Sequence, residues 1–264
     1  MLTTIQGMSL PSFPPATTPR EEIVQHLQQQ AFAVLGAADL GQLLQHSAGL
    51  TEPAQALAAL APSWAELPPD TYLKDGGRYR RRRHACYVLQ GQALQPVAHR
   101  AHWQPLQYNA LHGGMARWFE PVTAAVADQA AWQALLAVLG QVFTAALGGR
   151  VAAPVWHIEA HQFRIDTAGG IGRPTPEGAH RDGVDFVAVV LVGRHGVKGG
   201  ETRVFEANGP NGQRFTLSEP WTTLLLDDAR VIHESTPIQP LSDTGWRDTL
   251  VLTYRLGGFQ GPQA

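Results

Sequence analysis

From Val151 onward the apolar residues of this chain change their period from helical spacing to alternation. Short alternating runs at 156–165, 184–192, 202–206, 222–226, 229–233 and 249–254 follow one another. Turn-forming stretches separate them, among them Gly199-Gly200, Asn208-Gly209-Pro210-Asn211-Gly212 and Thr236-Pro237. Many short strands at even spacing close into a sandwich or barrel, because each must bury one face against another sheet. The first half reads differently. Thr18-Pro19-Arg20-Glu21 has the form of a capping box, with Thr18 as N-cap, and an apolar stripe follows through Ile23, Val24, Leu27, Phe32, Val34 and Leu35. Residues 38–46 and 52–60 repeat the helical pattern, 72–89 reads as extended, and 118–147 returns to helix. The expected fold is mainly β with helices, the helices first and a β-sandwich after them. Its parts are a proline-rich flexible arm over 1–19, a helical part over 20–65, a mixed strand and helix part over 70–150, and a jelly-roll part over 151–256, all in one domain spanning 1–264.

The formal net charge of −2 leaves no global field to draw the chain to nucleic acid or to an anionic membrane. A single cysteine, Cys86, excludes an internal disulfide framework and suits a reducing compartment. Flanked by Ala85 and Tyr87 in an apolar run, it reads as a buried, inert thiol. The start has no basic region followed by an apolar run, and no apolar stretch reaches the about 18–20 residues that span a bilayer. The expectation is a cytoplasmic protein.

The segment His180-Arg181-Asp182 carries the chemistry. In extended backbone His180 and Asp182 project from one face, where an imidazole and a carboxylate can reach one cation. His233 supplies a third ligand on a late strand, 233 − 182 = 51 residues further on. Two histidines and one carboxylate on one side of a metal leave positions open for other ligands, the facial triad of Fe(II) oxygenases. The bland alternative is two unrelated histidines and a turn-capping aspartate. Arg247 and Thr249, 247 − 233 = 14 residues beyond His233, share a strand face. A guanidinium beside a hydroxyl suits a carboxylate, whereas the bland reading is an exposed, salt-bridged arginine.

His180-x-Asp182, the distal His233 and the following Arg247-x-Thr249 together resemble the 2-oxoglutarate/Fe(II) dioxygenase superfamily, and the stretch Gly178-Ala179-His180-Arg181-Asp182-Gly183-Val184-Asp185-Phe186-Val187, with Gly199-Gly200-Glu201, narrows the likeness. Within it the likeness is to the bacterial family that includes L-isoleucine 4-hydroxylase and acts on free amino acids. The segments Arg80-Arg81-Arg82-Arg83, Gly113-Gly114, Arg117-Trp118-Phe119 and His161-Gln162-Phe163-Arg164-Ile165 add to it, so that the resemblance covers roughly residues 70–256. It implies a double-stranded β-helix (jelly-roll, cupin-like) fold, with Fe(II) held by His180, Asp182 and His233. It implies 2-oxoglutarate as co-substrate, its far carboxylate on Arg247 and Thr249, and ascorbate as reductant in vitro. The implied reaction uses O2 to hydroxylate a small molecule, a free L-amino acid or derivative, with release of succinate and CO2.

Such a substrate needs a carboxylate anchor, an ammonium anchor and an apolar pocket. Arg80 and Arg82 alternate with Arg81 and Arg83, so one pair faces inward, and Arg80 and Arg82 are the candidates. A nucleic-acid patch is the weaker reading of this run, since the rest of the chain has no basic surplus. Arg164, sharing a face with Gln162, is a second carboxylate candidate. Asp185 or Glu201 are candidates for the ammonium, and Trp156, Phe186 and Tyr254 for the apolar wall. His157 and His161 flank Glu159, but the order is not His-Glu-x-x-His and the setting is a strand, so they read as structural. His99 and His102 read as solvated or hydrogen-bonded. The rival functions are a metal cupin working without 2-oxoglutarate and a non-catalytic jelly-roll binding protein related to stress or biofilm. A homodimer is left open.

Overall fold

The computed structural model describes residues 13–241 and 243–262, so most of the expected arm, 1–12, lies outside the described residues. The rest of that arm is docked on the body of the protein. Thr216 N–H donates to Phe13 O (2.6 Å) and Thr18 N–H to Val34 O (2.7 Å).

Helices α1 (Ile23–Gln30), α2 (Ala37–Ala48) and α3 (Pro53–Ala58) surround strand β1 (Phe32–Leu35). Strands β2 (Arg80–Gln90) and β3 (Ala93–Pro96) precede helices α4 (Ala124–Ala127) and α5 (Ala130–Ala146). Then come β4 (Val155–Asp166), β5 (Phe186–His195), β6 (Val197–Gly199), β7 (Thr202–Glu206), β8 (Gly212–Phe215), β9 (Thr223–Asp227), β10 (Val231–Ser235), β11 (Ile238–Pro240) and β12 (Trp246–Arg255). Seven strands form an antiparallel sheet in the order β1-β9-β5-β12-β4-β2-β3, and the smaller sheets β10-β7-β8 and β11-β6 complete a double-stranded β-helix. No helix among the described residues is long and apolar enough to cross a membrane.

Three local expectations are corrected. The first helix stops at Gln30, because Ala31 turns left-handed (φ 65°) and returns its N–H to Leu27 O. Phe32–Leu35 then pairs with β9, Val34 opposite Leu224. Aromatic and β-branched residues accept a half-buried strand once a partner is present, and tertiary pairing overrides helical spacing. Thr18 is not an N-cap. Its hydroxyl accepts Val34 N–H (3.4 Å) and lies 3.5 Å from His26 Nδ1, while a 3-10 turn over Arg20–Glu22 leads into α1. The later helical part begins with the short α4 at Ala124 and continues in α5 from Ala130, rather than starting at Trp118, since Pro121 bridges to His84.

One face of the large sheet is covered by helices. There Phe143 of α5 stacks on Phe186 (ring centroids 4.7 Å apart) and meets Tyr254 edge-on at 4.8 Å. Trp156 packs edge-on against Phe186 and Tyr254, and the Tyr254 hydroxyl donates to Leu136 O (2.8 Å). Trp156, Phe186 and Tyr254 are therefore core under α5, not the wall of a substrate pocket. Phe186→Ala is expected to lower unfolding stability by about 3–5 kcal/mol, with substrate constants unchanged. Denaturant titration beside substrate kinetics checks it, and a change in substrate preference without lost stability would return Phe186 to the pocket.

Candidate metal centre and its cavity

The opposite face of the large sheet looks across a cavity toward β10 and the loop before β5. Two hydrogen bonds build its centre. His180 N–H donates to His233 O (3.0 Å) and His233 N–H to His180 O (2.9 Å), an isolated antiparallel bridge that closes the gap in sequence. The Asp228 carboxylate then accepts the backbone N–H groups of Asp182 (3.0 Å), Gly183 (2.8 Å) and Val184 (3.1 Å). Gly183 sits at φ 75°, and a Cβ there would fall 2.3 Å from the Tyr108 ring, so the loop carrying Asp182 is held in a form only glycine allows.

His180 Nε2 and His233 Nε2 each lie 3.8 Å from an Asp182 carboxylate oxygen, His180 facing Oδ1 and His233 facing Oδ2. That is too long for a hydrogen bond, and the three ligand atoms lie within 4.8 Å of one another. The His180 ring gives its Nδ1–H to Gly178 O (2.9 Å), which leaves the Nε2 lone pair directed at the centre. Burial, reinforced by His180, pulls His233 down to about 3, so its ring is neutral at pH 7. Gln104 Nε2 donates to Asp182 Oδ1 (3.1 Å). Two imidazoles, one carboxylate and no thiolate, open on the cavity side, fit a divalent ion such as Fe(II).

Arg247, Thr249, Val251 and Thr253 line the cavity, as strand alternation required. Arg247 is 2% exposed, and its Nε and Nη2 are buried without a hydrogen-bond partner among the described residues. Burial, with Arg194 nearby, lowers it to about 10, still a cation at pH 7. An unpaired buried guanidinium is costly unless an anion meets it.

On β2 the inward pair is Arg80 and Arg82, both buried and both lining the cavity. Arg82 lies over the rings of Phe119 (3.7 Å) and Phe163 (4.3 Å), and Arg80 Nε donates to Asp70 (2.7 Å). Arg117 joins them and donates to Gln104 Oε1 (2.8 Å). Arg80 Nη2, Arg82 Nε and Arg117 Nε are buried without partners. Arg164 and Gln162 are corrections, because both project from the other face of β4. Arg164 is forked onto Asp248 (2.8 and 2.7 Å) and stacks on Trp246, and Gln162 donates to Ser63. Asp185 accepts Leu256 N–H and Glu201 pairs with Arg203, so neither serves the cavity.

His102 takes the hydrogen-bonded of its two expected settings: it is buried, and it, His84 and His161 surround Glu159. His102 Nδ1 donates to Glu159 Oε2, and His84 Nε2 and His161 Nε2 lie 3.4 Å from the same oxygen. These four groups are close enough for a metal ion, but the tautomer speaks against one. Arg82 Nη2 donates to His161 Nδ1 (2.6 Å), so His161 turns an N–H, not a lone pair, toward Glu159. Burial alone would raise Glu159, yet the surrounding imidazoles hold it well below the usual carboxylate range. The cluster is a buried carboxylate satisfied by ring N–H groups, and it fixes Arg82 from behind.

Sequence reading missed Gln104, Arg117, Glu177 and Asp228 as parts of this site. The first three sit in irregular segments without periodicity. Arg117 stood within the resembling text, but nothing in its spacing indicated where it points.

A model of the 2OG-Fe dioxygenase family matches residues 61–253. A BsmA homolog of known structure from Methylobium petroleophilum PM1 is 55% identical, covering 95% of this chain and 98% of that one, with a TM-score of 0.85. IDO from Bacillus thuringiensis shares the fold at 17% identity, with 96% and 100% of the two chains covered and a TM-score of 0.73. The Fe(II)/α-ketoglutarate-dependent dioxygenase TqaL does so at 20% identity, with 89% and 86% covered and a TM-score of 0.67. No curated protein matches the chain.

Proposed function

The chain belongs to the 2OG-Fe dioxygenase family, and on that premise we propose that it hydroxylates a free L-amino acid or a close derivative, working as one domain with His180, Asp182 and His233 holding the iron. Iron and 2-oxoglutarate come with the family, as does an enzyme rather than a cupin without 2-oxoglutarate or a module without turnover. The observation behind the narrower reading is that the cavity has two separate sets of unsatisfied cations. Arg247 Nε and Nη2 form one, and Arg80 Nη2, Arg82 Nε and Arg117 Nε form the other. Arg247, with Thr249 beside it, is assigned to the far carboxylate of 2-oxoglutarate. The arginines of the second set are assigned to the carboxylate of the substrate.

When bound, Fe(II) and 2-oxoglutarate with O2 supply the oxidising chemistry that hydroxylates a C–H bond and releases succinate and CO2. The protein supplies order. Gly178 O and Gln104 aim His180 and Asp182, Asp228 fixes the loop that carries Asp182, and the stacked Arg82 presents donors that need no reorganisation. Gln104→Ala removes the one side-chain donor that Asp182 has among the described residues, and is expected to weaken metal binding about 10- to 100-fold. Anaerobic calorimetry with Fe(II) checks this, and parent-like affinity would leave Gln104 a packing residue only.

The substrate class is tested by succinate release over a panel of free L-amino acids with Fe(II), ascorbate and air, each beside its amide. Release with an amino acid and not with its amide supports the carboxylate anchor. No release above background from any of them, in protein that binds 2-oxoglutarate, overturns the amino-acid reading.

A further inference from the structure

A free amino acid brings a cation with its carboxylate, and an ammonium leaving water needs an anion. The carboxylates around the cavity are nearly all committed. Asp70 holds Arg80 and accepts Tyr72 N–H, and Glu159 is ringed by imidazoles. Asp228 accepts backbone N–H groups, and Asp182 faces the two triad histidines.

Glu177 differs. It lines the cavity with Arg80, Arg82 and Arg117, and its side chain is 13% exposed. Oε1 lies 3.7 Å from His180 Nε2, and Oε2 is buried with no hydrogen-bond partner. Among the described residues it is the only carboxylate oxygen so placed. Its one ion-pair neighbour among them is His180, so it forms no direct pair with the arginines that share its cavity. Unsatisfied N–H donors and an unsatisfied carboxylate oxygen thus border the same space without touching.

We infer that Glu177 is the ammonium anchor of the substrate, so that the cavity takes a zwitterion with its carboxylate toward Arg80, Arg82 and Arg117 and its ammonium on Glu177. This rests on the amino-acid reading above. It adds a requirement which that reading lacks: a carboxylic acid of the same skeleton, with hydrogen in place of the ammonium, is refused. The site is then built for α-amino acids and against 2-oxo, 2-hydroxy and N-acylated acids of equal size.

The test uses full-length protein loaded anaerobically with Fe(II) and 2-oxoglutarate. Calorimetry titrates in the L-amino acid that gives most succinate, then its deamino carboxylic acid and its N-acetyl derivative. The parent is expected to bind the amino acid about 10²-fold or more tighter than either analogue. Glu177→Gln keeps the shape and loses the charge. It is expected to bind the amino acid and the deamino acid within about threefold of each other, with Fe(II) and 2-oxoglutarate affinities as in the parent. A parent that binds the deamino acid equally well overturns the inference without any variant. So does a Glu177→Gln protein that keeps the preference, or one whose Fe(II) affinity collapses, which would make Glu177 a ligand instead. If no amino acid binds the loaded parent, the amino-acid reading has failed first and takes this inference with it.

Discussion

Asp182→Ala is expected to abolish succinate formation and to weaken Fe(II) binding by more than about 100-fold. Groups that merely orient a metal ligand already cost about 10- to 100-fold when removed, and Asp182 is proposed as a ligand itself. It is the only anion of the three, since an imidazole is neutral or cationic. The variant should still fold. The Asp228 carboxylate receives the backbone N–H of residue 182, which alanine retains, and the bridge between His180 and His233 is made by main-chain atoms. Loss of the side chain leaves Gln104 Nε2 without its acceptor, a cost confined to the cavity. Metal titration and succinate release on the same preparation decide the matter. Parent-like succinate formation by Asp182→Ala would sink the triad.

What made this centre legible is the two-residue repeat of a strand. Arg247 and Thr249, and Arg80 and Arg82, each had to share a face, and spacing alone conveys that, whereas His180 and Asp182 lie in the loop before β5 and are brought to one centre by the His180–His233 bridge and by Asp228. Which face is a different question. The large sheet is buried on both sides, by α5 on one and by the cavity on the other, so apolar residues mark neither. Trp156 and Phe186 were assigned to the cavity on chemistry alone and belong under α5, and Arg164 went the same way. On β12 the alternation that turns Arg247 to the cavity also turns Tyr254 to the opposite face, under α5. The choice between the two arginine pairs of β2 needed its register on β4, which sets Arg82 opposite Phe163 on the cavity face. Glu177, Gln104 and Arg117 lie where no period operates, and only tertiary packing says where they point.

Arg247→Ala is expected to raise the dissociation constant for 2-oxoglutarate about 30- to 5000-fold, corresponding to about 2–5 kcal/mol for one partner of a buried charge pair. Among the described residues no anion is in place to satisfy this guanidinium. Asp248 is next in sequence but projects from the opposite face, where Arg164 takes both of its oxygens. Arg194, the nearby cation, spends its N–H groups on the carbonyls of Val197, Gly199 and Leu217 and adds positive charge rather than relief. Arg247 therefore sits buried in a state that only an incoming carboxylate repairs. A second consequence separates this from a structural arginine. Removing an uncompensated buried charge relieves the unloaded protein, so Arg247→Ala without 2-oxoglutarate should melt at or above the parent temperature. Saturating 2-oxoglutarate should raise the parent's melting temperature and leave the variant's nearly where it was. Fe(II) affinity without co-substrate should stay put, since Arg247 is not a ligand. Arg247→Lys keeps the charge without the fork and should recover only part of the loss. A variant that melts well below the parent yet binds 2-oxoglutarate equally well would make Arg247 a strut of the sheet. The anchor would then lie among Arg80, Arg82 and Arg117, which line the same cavity and carry buried N–H groups without partners among the described residues, because Arg164 is committed to Asp248 and Arg194 to backbone carbonyls.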